Sequence, residues 1–126
     1  MYKLRKTKRI EASHQLPNHD GKCRNLHGHT WTITVEVRGT ELQHGGPKDG
    51  MLVDYADLSD MMKYHVEVLD HRHLNDVLEN PTSENLAYKL YCDILAFVKE
   101  KSCRCTLSRV IVSETQDSQA EYCGGS

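Results

Sequence analysis

Apolar and polar residues alternate in two stretches near the start of the chain. Between Lys3 and Leu16, the residues Ile10, Ala12, His14 and Leu16 fall on one face, with Arg9, Glu11, Ser13 and Gln15 on the other. From His27 onward, His27, His29, Trp31, Ile33, Val35 and Val37 share a face opposite Thr30, Thr32, Thr34, Glu36 and Arg38. A period of two, β-branched and aromatic enrichment and a polar outer face predict half-buried antiparallel strands. The stretch between them, "PNHDGKCRNL", is rich in turn residues (Pro17, Asn18, Asp20, Gly21) and predicts a loop.

The pattern then changes. "GTELQHGGPKDG" reads as a loop, and "MLV" as a short strand. Asp54 is a suitable N-cap for a helix to about Leu69, with Leu58, Met62, His65 and Leu69 on one face. "DHRHLND" interrupts. Pro81 and Thr82 open a second helix, whose apolar stripe is Leu86, Leu90, Ile94 and Phe97, with Cys92 expected in the core. "TLSRVIVSET", from Thr106, predicts a last strand. The simplest architecture is an α+β layer fold, an antiparallel sheet with two helices on its apolar face. It forms one domain over residues 1–120, with 121–126 ("EYCGGS") expected as a flexible tail.

Composition narrows the function. A chain of 126 residues with a net charge of −2 lacks the basic excess of a nucleic-acid binder. "MYKLRKTKRI" is basic but has no apolar core of a secretory signal, and no apolar run is long enough for a membrane span. The expected location is the cytoplasm, with no nucleic-acid or membrane partner. Five cysteines do not make an even disulfide framework, which suits a reducing compartment. C-x-C at Cys103 and Cys105 reads as two free thiols.

The eight histidines matter most. His27 and His29, two apart on a strand, leave the same face. His14 lies on the matching face of the preceding strand. If the two strands pair as a hairpin, three imidazoles gather at one end of the sheet, an open metal site with zinc as the first choice. His19, His44 and His65 read as ordinary polar residues. Cys23 has two readings. It either closes a Cys/His₃ structural site or stays off the metal as a nucleophile or base, and lowered thiol pKa beside a cation suits both. "LDHRHLND" adds Asp70 and His71, a pair suited to orienting an imidazole, or simply a helix C-terminus. Glu114 in "VSET" is either surface or an acceptor for an amino-pyrimidinone ring.

Six blocks, "EASHQL", "CRNLHGHTW", "MLVDYADL", "LDHRHLND", "ENPTSENLA" and "VSET", occur in an order and spacing that resemble the 6-pyruvoyl-tetrahydropterin synthase-like enzymes of the tunnelling fold. They span about residues 10 to 115, nearly the whole chain. The spacing of Cys23, His27 and His29 resembles most the 6-carboxy-tetrahydropterin synthases of the queuosine pathway. The resemblance implies that His14, His27 and His29 bind Zn²⁺ and that Cys23 is the catalytic base rather than a ligand. It implies that His71 with Asp70 forms a relay, and that Glu114 anchors a pterin, with Thr82 beside the substrate. The implied substrate is 7,8-dihydroneopterin triphosphate, and the implied products are 6-carboxy-5,6,7,8-tetrahydropterin, acetaldehyde and triphosphate. Formation of 6-pyruvoyl-tetrahydropterin and a non-catalytic zinc-stapled domain are the alternatives. The resemblance also implies a homo-oligomer, its subunits joined edge to edge into a barrel with sites at their interfaces. "TQDSQAEY" departs from the family pattern.

Overall fold

A computed structural model describes residues 1–101 and 104–125. Two long strands, β1 (Tyr2–His14) and β2 (His27–Gly39), pair antiparallel along their whole length, with Ile10 opposite Trp31 and His14 opposite His27. The loop between them carries a 3-10 turn at Lys22–Arg24, and Leu16 N–H donates to the Cys23 carbonyl at 2.7 Å, tying that loop to the end of β1. Then follow α1 (Tyr55–His65), β3 (Arg72–His73), α2 (Ser83–Lys101), β4 (Thr106–Ser113) and β5 (Ala120–Tyr122). The sheet order is β3-β1-β2-β4-β5. The chain is an α+β fold, as the pattern predicts.

The alternation works as expected on the inner face. Ile10, Ala12, Trp31, Ile33, Val35 and Val37 are buried under Leu58, Met61 and Met62 of α1 and Leu86, Leu90 and Ile94 of α2. A bulge near Glu36 and Val37 leaves Ser108 as an extra residue on β4. It shifts the phase of β4, so that Leu107 shares the inner face with Val110 and Val112.

Several expectations need correction. The sheet is mixed, because β3 adds to the β1 edge in parallel at Ala12 and Ser13. Met51–Val53 makes no strand. Leu52 and Val53 are buried in a bend leading to Asp54, whose side chain caps α1 by accepting from Ala56 N–H. That helix stops at His65, and a 3-10 turn, Glu67–Leu69, finishes the segment and buries Leu69. Lastly, 121–126 is not all tail. Glu121 and Tyr122 belong to β5, whose Tyr122 ring stacks edge-on between Tyr88 and Tyr91 of α2 at 4.9 Å from each. Three residues are too short for a period to show in sequence, so only their partners make them a strand. Cys92 is exposed, on the side of α2 away from the stripe. Of the Cys103/Cys105 pair, Cys103 lies outside the described residues.

The outer face holds a surprise. Glu36, read as a polar outward residue, is fully buried. It sits in register between Arg5 of β1 and Arg109 of β4, with Arg5 Nε at 2.7 Å and Arg109 Nε at 2.8 Å from its two oxygens. Arg109 also reaches Glu121 at 2.7 Å. Burial pushes the Glu36 carboxyl up, but hydrogen bonds from Ser108 and Arg109 and the charges of Arg109 and Arg5 outweigh it, and the net shift is downward.

Candidate active site

At the loop end of the inner face the apolar residues give way to histidines. The register that sets His14 opposite His27 also sets Ala12 opposite His29, so one small side chain leaves space for three rings. The centroids of His14, His27 and His29 lie 4.5, 5.1 and 4.7 Å apart, all edge to face. One ligand atom from each lies within 4.8 Å of the others. Trp31 walls this cluster off from the core, 4.9 Å from His14 and 5.5 Å from His29, and its indole N–H donates to the Ala12 carbonyl.

The backbone decides which nitrogens are offered. His14 Nδ1 lies 2.8 Å from the Pro81 carbonyl and His27 Nδ1 2.6 Å from the Asn25 carbonyl. A carbonyl only accepts, so each Nδ1 carries the proton and each Nε2 keeps its lone pair. The Nε2 atoms of His14 and His29 are buried with no hydrogen-bond partner. Such orphaned nitrogens are costly unless something fills the point they share. Burial lowers the pKa of His29, helped by the neighbouring imidazoles and opposed by Glu114, which favours the neutral, ligating form. A divalent cation fits this set: three imidazoles, two of them held by carbonyls, with no fourth ligand in the cluster among the described residues.

The sequence candidates separate here. Cys23, half-buried on its 3-10 turn, is outside the ligand cluster, although its loop is hydrogen-bonded to the end of β1. Glu114 stands at the cluster's edge, its Oε2 3.7 Å from His29 Nε2 in the same chain. It also forms a common wall of two hollows of about 550 and 600 Å³, one with Ser83 and Glu84, the other with Arg9, Thr30 and Thr32. Thr82 is committed to the helix: its hydroxyl accepts from Asn85 N–H at 3.0 Å, and its carbonyl accepts from Leu86 N–H.

Asp70 and His71 form a separate unit at the β1 edge. One Asp70 oxygen accepts from Glu11 N–H at 2.7 Å, while the other lies 3.2 Å from His71 Nδ1. The Glu11 N–H lowers the Asp70 pKa, burial opposes, and the His71 charge adds to the lowering. His71 has a left-handed backbone, with φ at 60°, anchored by its N–H to the Glu11 carbonyl, and its side chain is 80% exposed. It shares a hollow with Glu11, Ser13 and Thr30 of the outer face and with Ala12 and His29 of the inner one.

Pro81, Asn25 and Trp31 support the ligands, and none was a candidate from sequence. The first two act through carbonyls, which carry no side-chain signal. A hollow of about 630 Å³ between the helices, around Met61 and Phe97, contains none of the candidate residues. No helix among the described residues is long and apolar enough to cross a membrane.

The comparisons with known proteins agree with this geometry. The family model described as 6-pyruvoyl tetrahydropterin synthase matches residues 3–125. A Synechocystis protein named 6-carboxy-5,6,7,8-tetrahydropterin synthase is 40% identical over 119 residues, covering 90% of this chain and 86% of that one. A dihydroneopterin monophosphate aldolase from Pyrococcus furiosus is 42% identical over 62 residues, 49% of each chain. The structure of the Caenorhabditis elegans 6-pyruvoyl tetrahydropterin synthase superposes with a TM-score of 0.81 at 28% identity, over 98% of this chain and 96% of that one. Fold, histidine cluster and relatives converge: the chain belongs to the 6-pyruvoyl tetrahydropterin synthase family.

Proposed function

We propose that this protein converts 7,8-dihydroneopterin triphosphate to 6-carboxy-5,6,7,8-tetrahydropterin, acetaldehyde and triphosphate, as a zinc-dependent lyase of 7-deazapurine (queuosine) synthesis. The observation that carries the reading is the separation of the thiol from the ligand cluster. Three imidazole nitrogens converge on one point while Cys23 lies outside it. That is the arrangement of an open catalytic site, which keeps a position for substrate, and not of a closed Cys/His₃ staple. The Synechocystis relative's name supports the carboxy branch.

His14, His27 and His29 hold the ion, which when bound supplies a Lewis acid for the substrate's side-chain oxygens. The Glu114 carboxylate accepts two N–H bonds from the pterin ring and fixes its orientation. Cys23, as thiolate, takes a proton from the substrate side chain. His71, aligned by Asp70, moves a proton on the other side. The hollow of His71 also touches His29 of the cluster, and the site is completed at an interface with a neighbouring subunit, as the family resemblance implies. The unpaired stretch of β1 before Ala12 is the edge along which such a homo-oligomer would form.

Two measurements test this. Zinc-loaded protein is incubated with 7,8-dihydroneopterin triphosphate and the product mass recorded. A carboxy product is expected, a pyruvoyl product would move the chain to the sister activity, and a glycolaldehyde fragment would favour aldolase chemistry. Cys23→Ala is expected to keep its full zinc content and to lose at least a hundredfold in turnover. Loss of zinc together with stability would overturn the catalytic assignment.

A further inference from the structure

The substrate proposed above carries three phosphates, and the ligand cluster and Glu114 account for none of their charge. We propose that Arg72, with the Ser13–His73 pair, forms the subsite for the phosphate chain, an inference that rests on the function proposed above.

The hollow that contains His71 is about 540 Å³, and its other walls include Glu11, Ser13, Gly28, Thr30, Arg72 and His73. Its floor at Gly28 has no side chain, and a Cβ there would meet only the Ala12 carbonyl, at 3.8 Å. Ser13 Oγ lies 3.0 Å from His73 Nδ1, so a hydroxyl and an imidazole are locked together in the wall. Arg72 is exposed and makes no side-chain hydrogen bond or ion pair among the described residues. Its guanidinium offers a planar fork of N–H donors, which matches phosphate oxygens.

The carboxylates nearby are already engaged. Both Glu11 oxygens accept from the Thr30 hydroxyl, at 2.8 and 2.9 Å, and both Asp70 oxygens are held by Glu11 N–H and His71. Other cations fit less well. Arg5 is taken by Glu36 and Lys8 by Glu67. Arg9 faces the hollow of Glu114, which the proposed reaction assigns to the pterin ring. Arg72 follows His71 directly, so the group that moves the proton and the group that would hold the leaving phosphates are neighbours in the chain.

The test uses inorganic triphosphate as the probe, titrated calorimetrically into the zinc-loaded protein without turnover. Wild-type protein is expected to bind it at micromolar concentration. Arg72→Gln is expected to weaken binding about tenfold, with Arg72→Lys recovering part of the loss, which is the scale of one charge-assisted contact. Wild-type binding only at millimolar concentration would overturn the subsite, as would an unchanged Arg72→Gln or an equal loss in Arg9→Gln. Product formed from the pterin triphosphate without such binding would sink the subsite alone. Binding without any product would sink the proposed reaction and leave the subsite standing.

Discussion

Two polar clusters are buried in this protein, one on each face of the sheet. On the outer face Glu36 lies between Arg5 and Arg109, and Arg109 passes the contact on to Glu121. On the inner face His14, His27 and His29 turn their Nε2 atoms toward one another. The difference is in satisfaction. The Glu36 carboxylate has a cation within 2.8 Å of each oxygen; the Arg5 approach is an ion contact rather than an aligned hydrogen bond. His14 and His27 are secured from behind by the Pro81 and Asn25 carbonyls, and the Nε2 atoms of His14 and His29 have no hydrogen-bond partner. A buried charge matched within its own fold stabilises or specifies that fold. Buried polar atoms left unmatched at one shared point suit a ligand that completes them. The first cluster is therefore structural and the second chemical.

The strongest way to break this comparison is to remove a histidine. His14→Ala is expected to lower metal affinity more than about a hundredfold, beyond what loss of a supporting partner usually costs. Elemental analysis after dialysis against zinc checks it, and a variant that keeps stoichiometric metal would refute the ligand assignment.

Glu36→Gln should do the reverse. It leaves two guanidinium groups facing a neutral amide, and the expected loss is about 2–3 kcal/mol of unfolding free energy. That is below the range for a fully buried pair because Arg5 is half exposed. Metal content should be unchanged. Urea unfolding with and without zinc separates the two results.

The smallest effect lies in the pH dependence of the metal-free protein. Burial lowers the His65 pKa below its ordinary value of about 6.5, against the pull of Asp93. The unfolded chain then binds more protons just below that value, so stability falls as pH drops from about 6.5 toward the folded pKa. Glu36 acts lower down. Its pKa is depressed from an ordinary value of about 4.5, so its contribution is present above that value and is lost as pH falls through the folded pKa. Thermal melts across this range should show two separate declines. Glu36→Gln should shrink only the acid one, to which Asp70 and Glu121 also contribute, and a wild-type curve flat from pH 7 to 5 would contradict the lowered values of His65 and of His29, which act over the same window.

Much of this was legible in the linear chain. The period of two named the inner face from Ile10 to Val37, because a strand's side-chain direction is a local property. It also put His14, His27 and His29 on that face, so the cluster followed once the strands paired. Asp54 and Thr82 were readable as helix starts, since capping spans only a few residues. The tyrosine-held β5, the parallel β3 bridge and the burial of Glu36 were not, because each depends on groups far away in sequence. Glu36 looks like any outward residue of an alternating strand until Arg5 and Arg109 arrive on either side.

The sequence by itself determined the three longer strands, the two helices, which face of the sheet is apolar and the kinds of atom available for chemistry. Those follow from dihedral preference, periodicity and side-chain type, which act within a few residues. Only the tertiary structure decided that His14 sits opposite His27, that Pro81 and Asn25 occupy the Nδ1 atoms of His14 and His27 and leave their Nε2 atoms to the cluster, and that Cys23 stays out of it. Register and carbonyl direction are properties of paired segments, and a thiol four residues from a ligand can lie on or off a metal until the loop between them is folded.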